Sequence, residues 1–374
     1  MALSIASEDI CQGSTAPRRA DPAHHLYRAK LVRIATGLQE DAMLTVTKTS
    51  RKPWAKACWK DATRLLRVGC FAVLALLCCE NVVLAEETHR IAFSFDDAPM
   101  GNGPLLNGLE RTETLIAALE TADIHGAAFF VLTQSLVHNP DGAARLHAYT
   151  GAGHVLANHT HTHPWLRETA PTAYLADIDQ AAEMLDTFDS VQPYFRYPYL
   201  DEGDTREKRL AVINGLQARG LSNGYVTIDT YDWYMQALVA EAIEAGHQID
   251  MDKLEQVYVE VLVETIEFYD ALAVQTLGRH PDHVLLLHEN DLAALFVDEL
   301  AEALMRDGWE IIPVAEAYTD PIADERPDTQ FNGQGRVAAI AHANGAHPMQ
   351  LVSSAEEEEV LRTRFVMSGL LPRQ

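Results

Sequence analysis

The sequence predicts an α/β fold, specifically a distorted (β/α) barrel of about seven strands with a helical insertion before the last barrel strands. Two observations lead to this prediction. From residue 89 onward, short apolar runs alternate with stretches of helical periodicity, which is typical of α/β domains. In addition, 48% of the 374 residues are hydrophobic, which is enough to build a large core. The number of alternations favours a closed sheet over an open one.

The apolar runs have the length of strands, and the amphipathic stretches between them have the length of helices. The predicted strands span residues 90–95, 127–132, 154–157, 194–197, 221–228, 284–287 and 310–313. The predicted helices span residues 109–122, 143–149, 172–188, 207–218 and 292–305.

This alternation is interrupted once, between residues 229 and 283. In the middle of the interruption, apolar residues recur at i, i+3 and i+4, which predicts a helix with one buried stripe. The stripe consists of Leu254, Val257, Tyr258, Val261, Leu262, Thr265, Tyr269 and Leu272. After residue 320 the composition shifts to Ala, Gly, His and Glu. We therefore expect a barrel domain over residues 86–320 and a loosely held C-terminal tail over residues 321–374.

The first 85 residues form a predicted N-terminal extension that differs from the rest in charge and cysteine content. They carry 12 Lys and Arg against 7 Asp and Glu, whereas residues 86–374 carry 17 against 47. So acidic a domain excludes sequence-independent binding to nucleic acid. All five cysteines precede residue 80, so we expect neither disulfides nor thiolate chemistry in the barrel domain.

The extension contains a predicted export signal. Arg64 and Arg67 precede an apolar run over residues 68–79, and small residues at 83–85 follow it, which is the order of such a signal. Because the signal comes late, we expect the true start further downstream, with Met43 as a candidate. The alternatives are an uncleaved membrane anchor and a buried helix. Export to a bacterial periplasm or secretion is therefore expected.

Two adjacent carboxylates, Asp96 and Asp97, follow the first predicted strand in the stretch IAFSFDDAPM. The carboxyl ends of barrel strands are where such folds keep their active sites. Two partly buried carboxylates repel each other unless a cation or a proton is present. The alternative is an ordinary turn in which one of the two caps the next helix.

Three histidines stand in the five-residue stretch HTHTH. On a helix, His159 and His163 would share one face and converge on one ion while His161 points away. In an extended strand, all three would line one face. Two histidines together with Asp97 would leave coordination positions open for water and substrate, as in a catalytic metal site. The alternative is a polar surface turn.

Three further polar clusters lie at predicted strand ends: FRYPY, DTYDW and LLLHEND. Each has an ordinary structural explanation when taken alone. Arg196 fits a structural ion pair, Trp233 a core aromatic residue, and His288 a histidine whose hydrogen bonds are satisfied at a strand end.

The ordered succession SFDDAP, HTHTHPW, RYPY, DTYDW and LLLHEND resembles the five motifs of the polysaccharide deacetylases with a NodB-homology domain, carbohydrate esterase family 4. The resemblance extends over residues 91–313. Five short motifs in order are far more specific than any one of them. The resemblance implies a metal-dependent hydrolase that removes N-acetyl groups from a polysaccharide or oligosaccharide through metal-activated water.

The same resemblance implies how the metal and the base are arranged. Asp97, His159 and His163 would bind a divalent metal, most often Zn2+, with Co2+ or Ni2+ as substitutes. Asp96 would be the general base, and Arg196 would hold it in place.

The resemblance also implies the acid and the substrate contacts. His288 would be the general acid, tuned by either Asp229 or Asp232. The substrate-binding residues would be Tyr199, Trp233 and Leu287.

Three positions depart from the usual motifs: Ala98 and Leu200 stand where the family often has Gly, and Glu289 stands where it often has Asp. None of them is a proposed ligand, acid or base. Two other enzymatic readings keep the same site: an O-acetyl esterase and an amino-sugar deformylase. A non-catalytic glycan-binding or metal-binding protein is the third alternative. The expected partner is an acetylated glycan substrate.

Overall fold

The computed structural model describes residues 89–372. The strands are β1 His89–Ala98, β2 Ala128–Val131, β3 Val155–Asn158, β4 Val191–Phe195, β5 Ser222–Asn223, β6 Asp282–His288 and β7 Trp309–Ile311. The α-helices are α1 Gly108–Thr121, α2 Gln134–His138, α3 Gly142–Gly151, α4 Pro171–Leu185, α5 Arg206–Ala218, α6 Asp232–Glu244, α7 Met251–Leu277, α8 Asp291–Arg306, α9 Val314–Ala317, α10 Gly335–Ala343 and α11 Glu358–Met367. Short 3-10 turns lie at Leu166–Glu168, Pro198–Leu200, Pro321–Asp324, Pro348–Gln350 and Ser354–Glu356.

All strand pairs in the described part of the chain are parallel, in the order β5-β4-β3-β2-β1-β6, with β7 pairing with the start of β1. Strand β1 pairs with three other strands, β2, β6 and β7. Its residues from Ile91 to Asp96 are all buried, because β6 flanks one side and helices cover the faces. In the pairing of β1 with β6, Asp96 lies opposite His288.

The sheet curls so that its two edge strands, β5 and β6, are connected by the segment 223–228. Asn223 of β5 pairs with Phe195 of β4, and a little further on Ile228 pairs with Leu285 of β6. The amide of Leu286 donates to the carbonyl of Ile228 at 3.0 Å. The prediction of a distorted (β/α) barrel is therefore confirmed. The strand predicted over residues 221–228 is regular only in its first part.

The predicted insertion contains two helices, α6 and α7, where the sequence pattern indicated one. Helix α7 is 27 residues long and begins at the N-cap Asp250, whose side chain accepts from the amide of Lys253. It ends at Gly278, whose φ of 73° lies in the left-handed region. Every residue of its predicted stripe is buried, so the stripe is core.

The C-terminal segment is part of the core in the described residues. Val337 in α10 and Leu361 and Phe365 in α11 are fully buried within the same hydrophobic cluster as the barrel strands. Tyr269 of α7 donates a hydrogen bond to Glu356 at 2.8 Å. The expectation of a loosely held tail is therefore wrong for this segment, because its small and apolar residues cover helix α7.

No helix within residues 89–372 combines the length and the apolar character that crossing a bilayer requires. The predicted export signal or anchor lies outside the described residues. The domain limits at residues 85 and 320 stay predictions.

Candidate active site

The motif residues meet at one rim of the barrel. Because the strands are parallel, their carboxyl ends lie together. Asp96 and Asp97 lie at the end of β1, His159 directly follows β3, Arg196 directly follows β4, and His288 ends β6. The tertiary structure thus gathers residues that are nearly 200 positions apart in the sequence.

The candidate metal ligands are Asp97, His159 and His163, whose ligand atoms all lie within 4.8 Å of one another. Oδ1 of Asp97 is 3.4 Å from Nε2 of His163 and 3.7 Å from Nε2 of His159. Nδ1 of His159 lies 2.9 Å from the carbonyl oxygen of Arg196. Since a carbonyl can only accept, this nitrogen carries the proton, and Nε2 keeps its lone pair for a ligand. Two imidazoles and one carboxylate therefore fit a divalent ion of the zinc class.

The histidine segment is a loop, so both the helical and the extended alternatives are wrong. Oδ1 of Asn158 accepts from the amide of Thr160 at 2.8 Å. Thr160 and His163 have φ values of 71° and 58°, in the left-handed region. This turn folds the chain back on itself, which is how His163 comes to lie beside His159. Left-handed non-glycine residues cost of order 1 kcal/mol each and are typical of functional sites.

His161 points away from the ligand cluster. Its Nδ1 lies 2.9 Å from Oγ1 of Thr133, two residues after the end of β2. Its amide donates to Oδ2 of Asp177 at 2.8 Å, and the amide of Thr162 donates to the same oxygen at 2.9 Å. His161 therefore anchors the loop to its neighbours.

Arg196 is fully buried and holds Asp96 from below the rim. Its Nη1 donates to Oδ1 of Asp96 at 2.7 Å, and its Nε donates to the carbonyl of Gly224 at 2.7 Å. Nη2 donates to the hydroxyl of Tyr318 at 3.1 Å, and the guanidinium carbon lies 3.8 Å from the ring centre of Phe130. Only one oxygen of Asp96 is used in this way. The other, Oδ2, lies 3.8 Å from Nε2 of His159.

His288 is held by Asp232. Nδ1 of His288 lies 2.7 Å from Oδ1 of Asp232, and the backbone amide of His288 donates to Oδ2 at 2.8 Å. The side-chain amide of Asn290 also donates to Oδ2, at 2.8 Å. Burial by itself lowers the pKa of His288, but Asp232, with smaller contributions from Asp97 and Asp96, raises it to about 9. The imidazole is therefore protonated at neutral pH.

The choice between Asp229 and Asp232 is decided by this geometry, since Asp232 makes the short contact with His288. Asp229 is buried nearby. Its burial raises the pKa of the carboxyl above its ordinary value, and the positive charge of His288 opposes this rise.

The three expected substrate-binding residues lie in different environments. The Tyr199 side chain is half exposed, has a φ of 59°, and places its ring 4.5 Å from that of His163. Trp233, in the first turn of α6, is 39% exposed. Leu287 is fully buried and pairs with Phe95. The roles of all three at the acyl group stay predictions.

The polysaccharide deacetylase family model matches residues 85–219 of this chain. Over these residues the chain is similar to the polysaccharide deacetylase family. The resemblance inferred from the motifs is thereby confirmed. The matched segment contains the first three motifs, and the geometry above joins Asp232 and His288 to them.

Three bacterial proteins that are similar to this chain have names that refer to peptidoglycan or carbohydrate. A peptidoglycan-N-acetylglucosamine deacetylase of Bacillus cereus is 28% identical over 145 residues, which are 38% of this chain. The match spans 46% of that relative's length. A peptidoglycan deacetylase structure from Bacillus subtilis is 18% identical and covers 62% of this chain and 91% of its own, with a TM-score of 0.41. A family 4 carbohydrate esterase from Streptomyces lividans is 20% identical and covers 60% and 91%, with a TM-score of 0.40.

The barrel also contains a buried ionic network that the sequence motifs did not indicate. The Glu289 carboxylate accepts from Nη2 of Arg145 at 2.8 Å and from the hydroxyl of Tyr149 at 2.7 Å. Its other oxygen accepts from the amide of Met100 at 2.7 Å, in the loop after Asp97. The departure from the usual Asp at position 289 was a signal for this network, but Arg145 had no motif to mark it.

A second buried pair extends the same network. Nε of Arg111 donates to Oδ1 of Asp291 at 2.8 Å, and the amide of Leu105 donates to Oδ2 of Asp291 at 2.8 Å. Both charged side chains are fully buried. The loop between β1 and α1 is thus fixed to the segment that follows His288, so the network aligns the two strands that carry the candidate base and acid.

Proposed function

We propose that this chain is a metal-dependent hydrolase that removes N-acetyl groups from a glycan. One observation carries the proposal. Asp96 and His288 are paired positions on adjacent strands, at the rim that carries the histidine ligand cluster. Asp96 is held by the cation Arg196, and His288 is held by the anion Asp232. A candidate base and a candidate acid of opposite charge thus lie on neighbouring strands.

The ligand cluster of Asp97, His159 and His163 would hold the ion that the family uses. A divalent ion of the zinc class bound there would polarise an acyl carbonyl and make water more acidic. The chain contributes the fixed donors: the hydrogen bond of His159 to the Arg196 carbonyl sets the tautomer, and the left-handed turn at His163 sets the position of the second imidazole.

Asp96 is assigned as general base. Arg196 occupies Oδ1 through Nη1, and Oδ2 faces the histidine cluster. Oδ2 is therefore the atom that takes the proton from the attacking water. Because Arg196 is fixed by Gly224, Tyr318 and the face of Phe130, the carboxylate cannot rotate away from the cluster.

His288 is assigned as general acid. Its Nδ1 is engaged with Asp232, so Nε2 is the nitrogen that can donate. As the carbon–nitrogen bond breaks, the departing sugar amine needs a proton, and His288 supplies it. The pKa of about 9 means that this proton is present at neutral pH.

The substrate class is inferred from the charge of the chain and from the name of a relative. Charge counts of 17 against 47 over residues 86–374 favour a neutral glycan, or one whose product gains amines, over a strongly anionic polymer. The Bacillus cereus relative is named for peptidoglycan N-acetylglucosamine, which makes an N-acetylated cell-wall glycan the first substrate to test. We further propose that the enzyme acts outside the cytoplasm, where such a glycan lies.

The test is acetate release by the full chain, stripped with a chelator and reloaded with Zn2+ or Co2+. Chitopentaose, peptidoglycan fragments and acetylated xylan are compared in parallel. The expected result is metal-dependent release from an N-acetylated substrate that Asp96→Asn abolishes. The matched control is Asp179→Asn, an exposed Asp on α4 that pairs with Arg219 and should leave activity unchanged.

Other results would replace the proposal by one of its alternatives. Acetate from xylan alone would indicate an O-acetyl esterase, and formate from an N-formyl amino sugar would indicate a deformylase. Binding of metal and glycan without any acyl release would indicate a non-catalytic protein.

A further inference from the structure

A second histidine and carboxylate cluster lies at the opposite end of the barrel. It contains His89 at the start of β1, Asp270 in α7, and His280 just before β6. His89 precedes Asp96 by seven residues along β1. At a rise of about 3.3 Å per residue, the cluster is about 23 Å from the candidate active site. It shares no residue with that site.

Both imidazoles are aimed at the same carboxylate. Nδ1 of His280 lies 2.7 Å from Oδ1 of Asp270, and Nδ1 of His89 lies 3.3 Å from Oδ2. The two rings are packed against each other with their centres 4.1 Å apart. The ligand atoms of the three residues all lie within 4.8 Å of one another, as do those of the first cluster.

We propose that His89, Asp270 and His280 form a second metal site, which takes a zinc-class divalent ion. Two imidazole nitrogens and one carboxylate oxygen are the donors that Zn2+, Co2+ and Ni2+ accept. Ca2+ and Mg2+ are disfavoured because they require a shell of oxygen ligands.

The carboxylate of Asp270 is held in position for metal binding by a neighbouring residue. Asp270 is 7% exposed, and its Oδ1 lies 3.1 Å from Nε2 of His283. His283 is fully buried and is itself fixed, because its Nδ1 lies 2.9 Å from Oγ1 of Thr227. Such outer contacts orient metal ligands and keep their position when the ion is absent.

The segment that carries His280 is clamped from both sides. Arg279 donates to both oxygens of Asp320, at 2.7 Å and 2.6 Å. The backbone amide of Asp282 donates to the same carboxylate at 3.0 Å. His280 lies between these two anchored residues, so its imidazole is presented by a rigid loop.

His89 completes the cluster from the surface. Its side chain is 37% exposed, which leaves a route for an ion from solvent, and its ring packs edge-on against Trp309 at 5.0 Å. A bound ion would connect the start of β1, the insertion helix and the loop before β6. We assign the ion a structural role, since the cluster lies about 23 Å from the candidate base and acid.

The test uses the full chain in a His159→Ala/His163→Ala background, which removes the first ligand cluster. Its thiols are alkylated, because the five cysteines before residue 80 would also bind zinc. Binding of Zn2+ alone is measured by competition with a chromophoric chelator, and Co2+ binding by visible absorption. Parent, His280→Gln and His89→Gln are compared. The matched control is His125→Gln, an exposed histidine that belongs to neither cluster.

The proposal expects the parent and the control to bind one equivalent more than either variant, with a Co2+ absorption band that both variants lose. Zn2+ should also raise the melting temperature of the parent and not that of the variants. Equal stoichiometry in parent and variants would overturn the proposal, as would the absence of Co2+ absorption in the parent. If His280→Gln does not fold, the metal stoichiometry and Co2+ absorption of His89→Gln, at the edge of the cluster, test the proposal. Because acetate release is not a readout, failure of the proposed enzymatic function would leave this result intact.

Discussion

Asp232 and His288 are joined by a 2.7 Å hydrogen bond between the first residue of α6 and the last residue of β6. The same carboxylate also accepts the backbone amide of His288 and the side-chain amide of Asn290. His288 is therefore held at its Nδ1 and at its backbone amide by one carboxylate, and Nε2 is the nitrogen that the proposed mechanism uses. Asn290 in turn caps α8 by accepting from the amide of Ala293 at 2.8 Å. The proposed general acid is thus oriented by the ends of α6, β6 and α8.

Replacing Asp232 by Asn should move the alkaline limb of the pH profile to lower pH. Asp232 is the main cause that raises the pKa of His288 to about 9 against the effect of burial. A general acid works only while it is protonated, which means below its pKa, so losing the carboxylate narrows the active range from the alkaline side. We expect kcat/KM at neutral pH to fall by about 10²-fold to 10⁴-fold. A pH profile of kcat/KM measures both effects.

Asp229→Asn is the comparison for this experiment. Asp229 lies near His288 without the short hydrogen bond, so its loss should shift the alkaline limb less. A larger shift in Asp229→Asn than in Asp232→Asn would contradict the assignment.

Replacing Arg196 by Lys should reduce kcat while leaving KM nearly unchanged. Lysine keeps the charge, but a single ammonium group cannot reach Asp96, Gly224 and Tyr318 together or stack on a ring. Asp96 would then be poorly positioned, which we expect to cost about 10²-fold in kcat. Steady-state acetate release measures this.

Arg219→Lys is the matched control, because Arg219 also makes a two-pronged contact with a carboxylate, Asp179, on the surface. Its activity should be that of the parent. An equal loss in both variants would show that the Arg196 effect is not specific to the site.

Removing one histidine of the ligand cluster should abolish metal binding there, whereas removing the middle histidine should not. His163→Ala takes away a ligand atom 3.4 Å from Asp97. His161→Ala removes a contact with Thr133 and leaves the cluster intact. Metal content after chelation and reloading separates the two variants. Equal loss from both would contradict the pairing of His159 with His163.

Glu289→Gln should destabilise the protein by about 3–5 kcal/mol, because it leaves the Arg145 guanidinium buried without its counter-charge. Urea unfolding measures the free energy. Glu241→Gln is the control, since Glu241 pairs with Arg362 on the surface, where such pairs contribute about 0–1 kcal/mol. Equal effects would show that the network is not coupled to folding.

His154 should make the protein less stable in acid. Burial, with a smaller contribution from the charge of His125, lowers the pKa of His154 to about 4. Between that value and the ordinary value of 6.5, the unfolded chain binds a proton that the folded chain does not, so stability falls as the pH falls through this window. The effect amounts to at most about 3 kcal/mol. Urea midpoints at several pH values should show a shallower decline for His154→Phe than for the parent, and parallel curves would contradict this.

The sequence by itself predicted most of the strands and helices and singled out the candidate site residues. Alternating apolar runs and helical stripes predict the barrel strands and the helices around them, because burial in a layered fold imposes these periods on the chain. The ordered motifs likewise marked Asp97, His159, Arg196 and His288 as candidate site residues. These residues can be recognised in the sequence because they are polar and lie at the ends of predicted strands.

Only the tertiary structure decided which of these residues meet and how. The choice of Asp232 over Asp229 depends on where α6 begins relative to β6, and the approach of His163 to His159 depends on a left-handed turn that periodicity does not encode. The C-terminal segment is core because it covers α7, a surface that the sequence cannot show to be uncovered. His89 and Asp270 stand 181 positions apart in the sequence and meet only because the insertion helix packs at the end of β1. Local sequence patterns indicate which secondary structure a segment adopts. The distances between residues far apart in the sequence depend instead on how the strands and helices pack against one another.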